Sequence, residues 1–465
     1  MSFYQANHLS VPALDRSLFE GVFQVPPGHF LLADRSQIRI LRYWDFDYPR
    51  ISESQALLAD SEYAEQFQHS LDEAVRVRLR ADVPVGCYLS GGLDSCAVLG
   101  LAARHRSDPI RAFTLTFDQP AYDEGPIARE MAARAGAEYY PIPIKQSDLA
   151  DQFGAAAWQS ESLFLNAHGV AKFLLSKAVH DAGYKVVLTG EGSDEILAGY
   201  PHFRRDMLLY NNQGQHERTV EQLLLELEQA NPVSHGLLLP AGKGVSLASI
   251  EGSLGFAPSF LESFSTAAFK LRSVYRAEFA SEFAGRDPYR VFLNGLDVEG
   301  QLTGREPVNQ ALYLWSKAQL PNYVLTVLGD RMEMAHSVEG RVPFLDHHLV
   351  ELVRDLPVSS KIRGTTEKFV LREAAKPVLT ATVYARQKHP FLSPPAANAP
   401  DERLNQLLQD TLRGATLGSV PFYDQPKVIA LLDSLPEMDL GARTAVDLVL
   451  MVILSACMIH EKFGL

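Results

Sequence analysis

Val85-Gly86-Cys87-Tyr88-Leu89-Ser90-Gly91-Gly92-Leu93-Asp94-Ser95 is the stretch that decides the fold. A short apolar run meets a glycine turn, and a helical pattern from Ala97 to Arg104 follows. Two adjacent glycines let the backbone approach a bulky anion. Ser90, Ser95 and the free N–H groups of a helix start can then donate hydrogen bonds to phosphate. Asp94 would repel a bare phosphate, so its presence calls for a bridging divalent cation. The loop lacks the Gly-Lys-Ser/Thr of the kinase-type P-loop and the Gly-x-Gly-x-x-Gly of dinucleotide sites. A glycine turn whose aspartate merely caps the helix is the plainer alternative.

Working outward from this loop, strand-like and helix-like runs alternate. Ala112–Phe117, Tyr139–Ile144 and Lys185–Leu188 read as strands, and Pro126–Ala135 and Ala167–Ala182 as helices. An amphipathic helix between Ser52 and Arg80 precedes them. Such alternation predicts an α/β, Rossmann-like doubly wound parallel sheet over residues 52–205, with ligands beyond the strand C-termini. Residues 206–465 are mostly helical, broken at Pro321, Pro343, Pro357 and Pro377, with a Pro/Ala-rich surface loop between Pro390 and Pro400. Residues 1–50 carry short β-like runs around Pro26-Pro27-Gly28, too few for a core of their own. The flanks of that turn, Val22–Val25 and Phe30–Leu32, read as a hairpin.

Composition sets the outer limits. The 465 residues are 46% hydrophobic and 21% charged, with a net charge of −13, which is globular and disfavours a nucleic-acid backbone binder. Three cysteines (Cys87, Cys96, Cys457) make no disulfide scaffold and no metal spacing, as in a reducing, cytoplasmic setting. The start lacks a signal-peptide pattern, and the apolar run Leu448–Ile459 reads as a buried helix rather than a membrane span. The adjacent His347-His348 should point apart, and no zinc constellation is apparent.

Four motifs in order carry a family resemblance. Ser90-Gly91-Gly92-Leu93-Asp94-Ser95 after a strand resembles the pyrophosphate-binding loop of the N-type ATP pyrophosphatases. Leu188-Thr189-Gly190-Glu191-Gly192-Ser193-Asp194-Glu195-Ile196, the run Asp330–Asp346, and Lys368–Ala374 followed by Arg386-Gln387-Lys388-His389-Pro390-Phe391 narrow it. Together they resemble the synthetase domain of the asparagine synthetase family, which includes β-lactam synthetases and lasso-peptide cyclases.

The resemblance implies a ligase that adenylates a carboxylate with ATP, releases pyrophosphate and forms an amide as an amine or ammonia attacks. The cofactors it implies are ATP and Mg²⁺, with Asp94 and Asp194 as metal ligands. Asp194 also reads as the N-cap of the helix that follows. Glu191 and Lys388 are implied as catalytic: Glu191 orients the acceptor or takes a proton, and Lys388 meets phosphate and oxyanion. Leu89, Ser90, Gly91, Gly92, Asp94, Ser95, Leu115, Thr189, Gly190 and Arg331 are implied for the nucleotide. Arg341 reads equally as a structural partner of Asp346.

The N-terminal part departs from the family. Gly21–His29 and Arg42–Asp45 resemble only the end of a glutaminase domain, and no cysteine precedes Cys87. Its own glutaminase activity is therefore not expected. Nitrogen is expected from free ammonia, a substrate amine or a separate glutaminase subunit, and the acceptor is a small-molecule or peptide carboxylate. No membrane or nucleic-acid partner is expected. The competing class is a catalytically retired nucleotide-binding partner subunit.

Overall fold

The computed structural model describes residues 14–53, 58–120, 122–211, 217–230, 238–240, 242–387, 395–399 and 402–465. A two-stranded antiparallel hairpin, β1 (His29–Ala33) and β2 (Ile38–Arg42), comes first. Its turn lies at Asp34–Gln37, where the Asp34 carboxylate accepts from the N–H groups of Ser36 (2.7 Å) and Gln37 (3.1 Å). Pro26-Pro27-Gly28 does form the expected turn, with His29 N–H donating to Pro26 O at 3.2 Å, but the hairpin reverses at Asp34–Gln37 instead and Val22–Val25 is not one of its strands.

The central sheet contains β3 (Val85–Tyr88), β4 (Arg111–Phe117), β5 (Glu138–Ile144), β6 (Val186–Leu188) and β7 (Glu339–Arg341). Its order is β5-β4-β3-β6-β7, and every neighbouring pair is parallel. Every residue of β3 and β6 is buried, as a covered parallel sheet requires. The chain winds from β3 out to β5 and then returns to the other side of β3. The crevice where the winding reverses therefore opens between the ends of β3 and β6. The doubly wound sheet is as the sequence predicts, but its fifth strand comes from well outside residues 52–205.

The helices of this half are α1 (Asp60–Arg78), α2 (Leu93–Arg104), α3 (Gly125–Ala135), α4 (Gln146–Ser160), α5 (His168–Asp181), α6 (Ser193–Leu197) and α7 (Pro201–Tyr210). The sequence pattern passes over α4, whose start is fixed by Asp148 accepting from the Lys145 N–H at 2.8 Å. Among the described residues beyond α7, the regular elements are helices apart from β7 and a two-stranded hairpin, Ile362–Arg363 with Thr366–Glu367. The buried helix Pro307–Gln319 continues into two π-helical turns, Leu320–Val324 and Thr326–Asp330. Their wide rings are closed by Leu325 N–H to Leu320 O and Asp330 N–H to Leu325 O, both 2.9 Å. Pro321 has no N–H to give the regular ladder, and such bulges recur at functional sites.

Helix Leu440–Phe463 is the one long and apolar enough to cross a membrane among the described residues, yet 78% of its apolar window is buried within the fold. Val446 and Leu448–Leu454 pack into the core, as the sequence implies. Ala396 and Ala397 are buried too, and the Ala397 N–H donates to Asp447 at 2.8 Å. That part of the Pro/Ala stretch is core and not surface loop; most of the remainder lies outside the described residues.

Candidate active site

The loop after β3 and the loop after β6 meet in the crevice. The Ser90 N–H donates to Ser95 Oγ at 3.0 Å, and Gly92 N–H to Ser90 Oγ at 3.1 Å, so the serines hold the first loop in shape. Gly190 lies against this loop: a Cβ there would come within 2.8 Å of Ser95 N. Only glycine lets the two loops touch. Helix α2 begins with Gly92 as N-cap and α6 with Gly192, so Asp94 and Asp194 are not the caps of their helices. Each carboxylate sits one residue into the first turn, where it is free to point at a shared target.

That target is occupied by a lysine. Lys368 Nζ lies 2.6 and 2.7 Å from the two oxygens of Asp94 and 2.6 Å from Asp194 Oδ1, with its side chain 1% exposed. Ser193 Oγ adds a hydrogen bond to Asp94 at 2.8 Å. Lys368 precedes helix Phe369–Ala375 at a left-handed φ of 51°, and its neighbour Glu367 is clamped by Arg204 (3.2 Å) and Arg372 (2.9 Å), all three buried. The buried ion pairs on Glu367 thus aim the lysine. Gly199 makes room: a Cβ there would overlap Asp194 Oδ1 and Lys368 Cε.

Mg²⁺ bound to phosphate takes one or two carboxylates, so Asp94 and Asp194 suit it in number and chemistry, while Lys368 fills the position between them here. Among the described residues no three His, Cys, Asp or Glu groups form a metal cluster, and none is needed for that mode. His347 and His348 do not point apart, their rings lying 3.9 Å centroid to centroid.

A cavity of about 240 Å³ opens beside the loops. Leu89, Ser90, Gly92, Asp94, Ser95, Leu115, Thr189, Gly190, Glu191 and Asp194 all line it, so the structure gathers these sequence-derived residues at one place. Gly91 faces elsewhere, its carbonyl accepting from Arg386 (2.9 Å), which also pairs with Glu124 at 2.7 Å. Arg331 is not at the cavity: it binds the Ser160 carbonyl (2.6 Å) and Glu161 (2.8 Å), a tie between helices. Arg341 donates to the Arg78 and Arg80 carbonyls and pairs with Glu339, while Asp346 pairs with Arg78 at 2.8 Å. The expected Arg341–Asp346 pair is therefore replaced. Lys388 lies outside the described residues.

The structure adds residues the sequence reading missed. Lys172 on α5 reaches Glu191 Oε1 at 2.5 Å and stands 4.6 Å from the centre of the Tyr88 ring. Burial and the nearby Glu191 push the carboxyl of Glu333 up to about 8, although Lys172 acts the other way. Burial and Asp194 push Glu195 up to about 7, against a hydrogen bond donated by Tyr200 at 2.8 Å. For Lys172 a signal existed, a charge within the apolar helical run Gly169–Leu175. For Lys368 the sequence offers only its presence in the fourth motif.

Similarity to known proteins agrees with this geometry. The asparagine synthase family model matches residues 66–459. The chain belongs to the asparagine synthase family. Its doubly wound α/β fold is the ATP pyrophosphatase type. An "Amidase chyE" of Penicillium rubens is 33% identical over 82% of this chain and 59% of its own length. "Amidase chry2" of Gibberella zeae is 30% identical over 88% of this chain and 64% of its own. A "Putative asparagine synthetase [glutamine-hydrolyzing]" of Mycobacterium tuberculosis is 30% identical over 81% and 55%. The chain thus spans between half and two thirds of the length of these family members.

Proposed function

We propose that this chain is an ATP-dependent amide-forming ligase, and the observation that carries the reading is the convergence of Asp94 and Asp194 on one buried cation position beside the Ser90–Ser95 loop. In this reading a carboxylate oxygen of the acceptor attacks the α-phosphorus of ATP and the bond to the β-phosphate breaks, releasing pyrophosphate. An amine nitrogen then attacks the activated carbonyl carbon, AMP leaves, and the amide remains. A free carboxylate cannot react this way because oxide is too poor a leaving group.

The loop N–H groups and serines bind departing phosphate, while Asp94 and Asp194 would hold Mg²⁺, whose role when bound is to neutralise phosphate charge. Lys368, which lies between the two carboxylates here, would have to give up that position to the metal. Glu191, fixed by Lys172, orients the acceptor and takes the proton of the attacking amine. Lys388 is assigned to the growing phosphate and oxyanion charge on family resemblance. Nitrogen is assigned to free ammonia, an organic amine or a separate glutaminase subunit, and the setting to the cytoplasm.

The test is ATP–pyrophosphate exchange over a panel of carboxylic acids with Mg²⁺. Exchange that depends on the acid supports the ligase. Tight ATP binding with no exchange for any acid would instead fit a retired nucleotide-binding subunit. With an active acid in hand, ammonium chloride at pH 8.5 should give amide, whereas glutamine alone should not.

A further inference from the structure

The cavity is lined from both halves of the fold. By family resemblance Leu89, Leu115, Thr189 and Gly190, at the crest of the sheet, belong to the nucleotide. Beside Phe113, Phe117 and Tyr122 of the sheet half, the helical half lines the cavity with a wall of Phe264, Trp315, Tyr323 and Leu328, joined by Tyr200. Tyr200 and Trp315 lie 5.1 Å apart centre to centre, and the π-helical turns carry Tyr323 and Leu328. Glu191 and its partner Lys172 stand in the same lining.

The charges of the lining are as informative as its rings. No arginine belongs to it among the described residues. Among the described residues its one lysine, Lys172, is 2.5 Å from Glu191, and Asp94, Glu124, Glu191, Asp194 and Glu195 are carboxylates. A second acceptor carboxylate would be buried here beside like charges, and among the described residues of the lining only Lys172 could meet it, which is unfavourable. A flat apolar ring, by contrast, gains burial and offset contacts with aromatic neighbours. One polar point remains: Trp315 Nε1 is buried without a hydrogen-bond partner among the described residues. A buried indole N–H normally donates, so it would suit an acceptor atom placed on the ligand.

We infer that the acceptor is a monocarboxylic acid bearing an aromatic ring, held by the Phe264–Trp315–Tyr323–Leu328 wall with its carboxylate toward Glu191 and the phosphate loop. The inference rests on the ligase reading and narrows its substrate class.

The experiment is pyrophosphate exchange with benzoate, phenylacetate and cinnamate beside acetate, aspartate and glutamate. Aryl acids should exceed aspartate in kcat/KM by on the order of 10²-fold. In Leu328→Arg, which puts a guanidinium into the wall, that preference should shrink by at least about tenfold. Phe264→Leu, a milder change checked by unaltered circular dichroism, should raise KM for aryl acids several-fold. Aspartate turning over as well as or better than the aryl acids overturns this inference and leaves the ligase intact. Folded variants with unchanged aryl KM overturn it as well. Absence of exchange with every acid overturns the ligase reading, and this one with it.

Discussion

Lys368→Met removes the charge between Asp94 and Asp194 and keeps most of the chain length. Both carboxylates lie within ion-pair distance of one nitrogen, so without it their oxygens face each other across a buried gap. Two like charges on the order of 5 Å apart repel by about 3 kcal/mol at an effective dielectric of about 20. Removing one partner of a buried ion network typically costs about 3–5 kcal/mol, which agrees. Urea unfolding at pH 7 should therefore show a loss of that size. Millimolar MgCl₂ should restore much of it in Lys368→Met, because the vacated position suits a divalent cation, and should stabilise the parent protein much less. The opposite pattern refutes the reasoning: an unchanged midpoint, or a variant indifferent to Mg²⁺, means that the two aspartates do not form a cation site.

Asp94→Asn and Asp194→Asn should each cut pyrophosphate release by at least about 10²-fold while the fold survives, because the remaining aspartate still neutralises Lys368; turnover near the parent rate would sink the metal-ligand assignment. Glu333 is held protonated up to about pH 8, against an ordinary value of 4.5, so the stability it contributes is full below pH 4.5 and is lost as pH rises through 8. Urea midpoints between pH 5 and 8.5 should fall with pH, and Glu333→Gln should flatten that fall by up to about 1.4 kcal/mol per unit; equal slopes would show an ionised Glu333. Lys388→Ala should bind ATP almost normally in a titration yet form AMP on the order of 10²–10³ more slowly in single turnover; equal loss of both would reduce the lysine to a ground-state contact.

The sheet and its two glycine loops were legible because their information is local. A buried strand, a glycine turn and a helix start lie within eleven residues of Val85, and the same grammar recurs at Leu188–Ile196. The arginines show where locality ends. Arg331 and Arg341 sit in a motif that the family shares, yet one ties helices and the other holds a chain carbonyl, because a guanidinium serves structure as readily as phosphate. Lys368 was hidden for the reverse reason. Its meaning depends on Arg204, Glu367 and Arg372 meeting around it, three residues that no periodicity connects. The short strand β7 carries only Glu339, Gly340 and Arg341, half-exposed or exposed residues with no strand signature of their own.

That strand has a kinetic consequence. During synthesis β6 leaves the ribosome with one edge unpaired, and its partner β7 emerges roughly 150 residues later, several seconds or more at ordinary elongation rates. Until then the apolar Val186-Val187-Leu188 edge can pair only with β3 on its other side. The nascent chain must therefore carry an open parallel edge through about a third of its translation, a state open to aggregation and slow to resolve. Heterologous production should reward slower synthesis and lower temperature, and a fragment ending before Glu339 should accumulate as inclusion bodies rather than as a free-standing nucleotide-binding half.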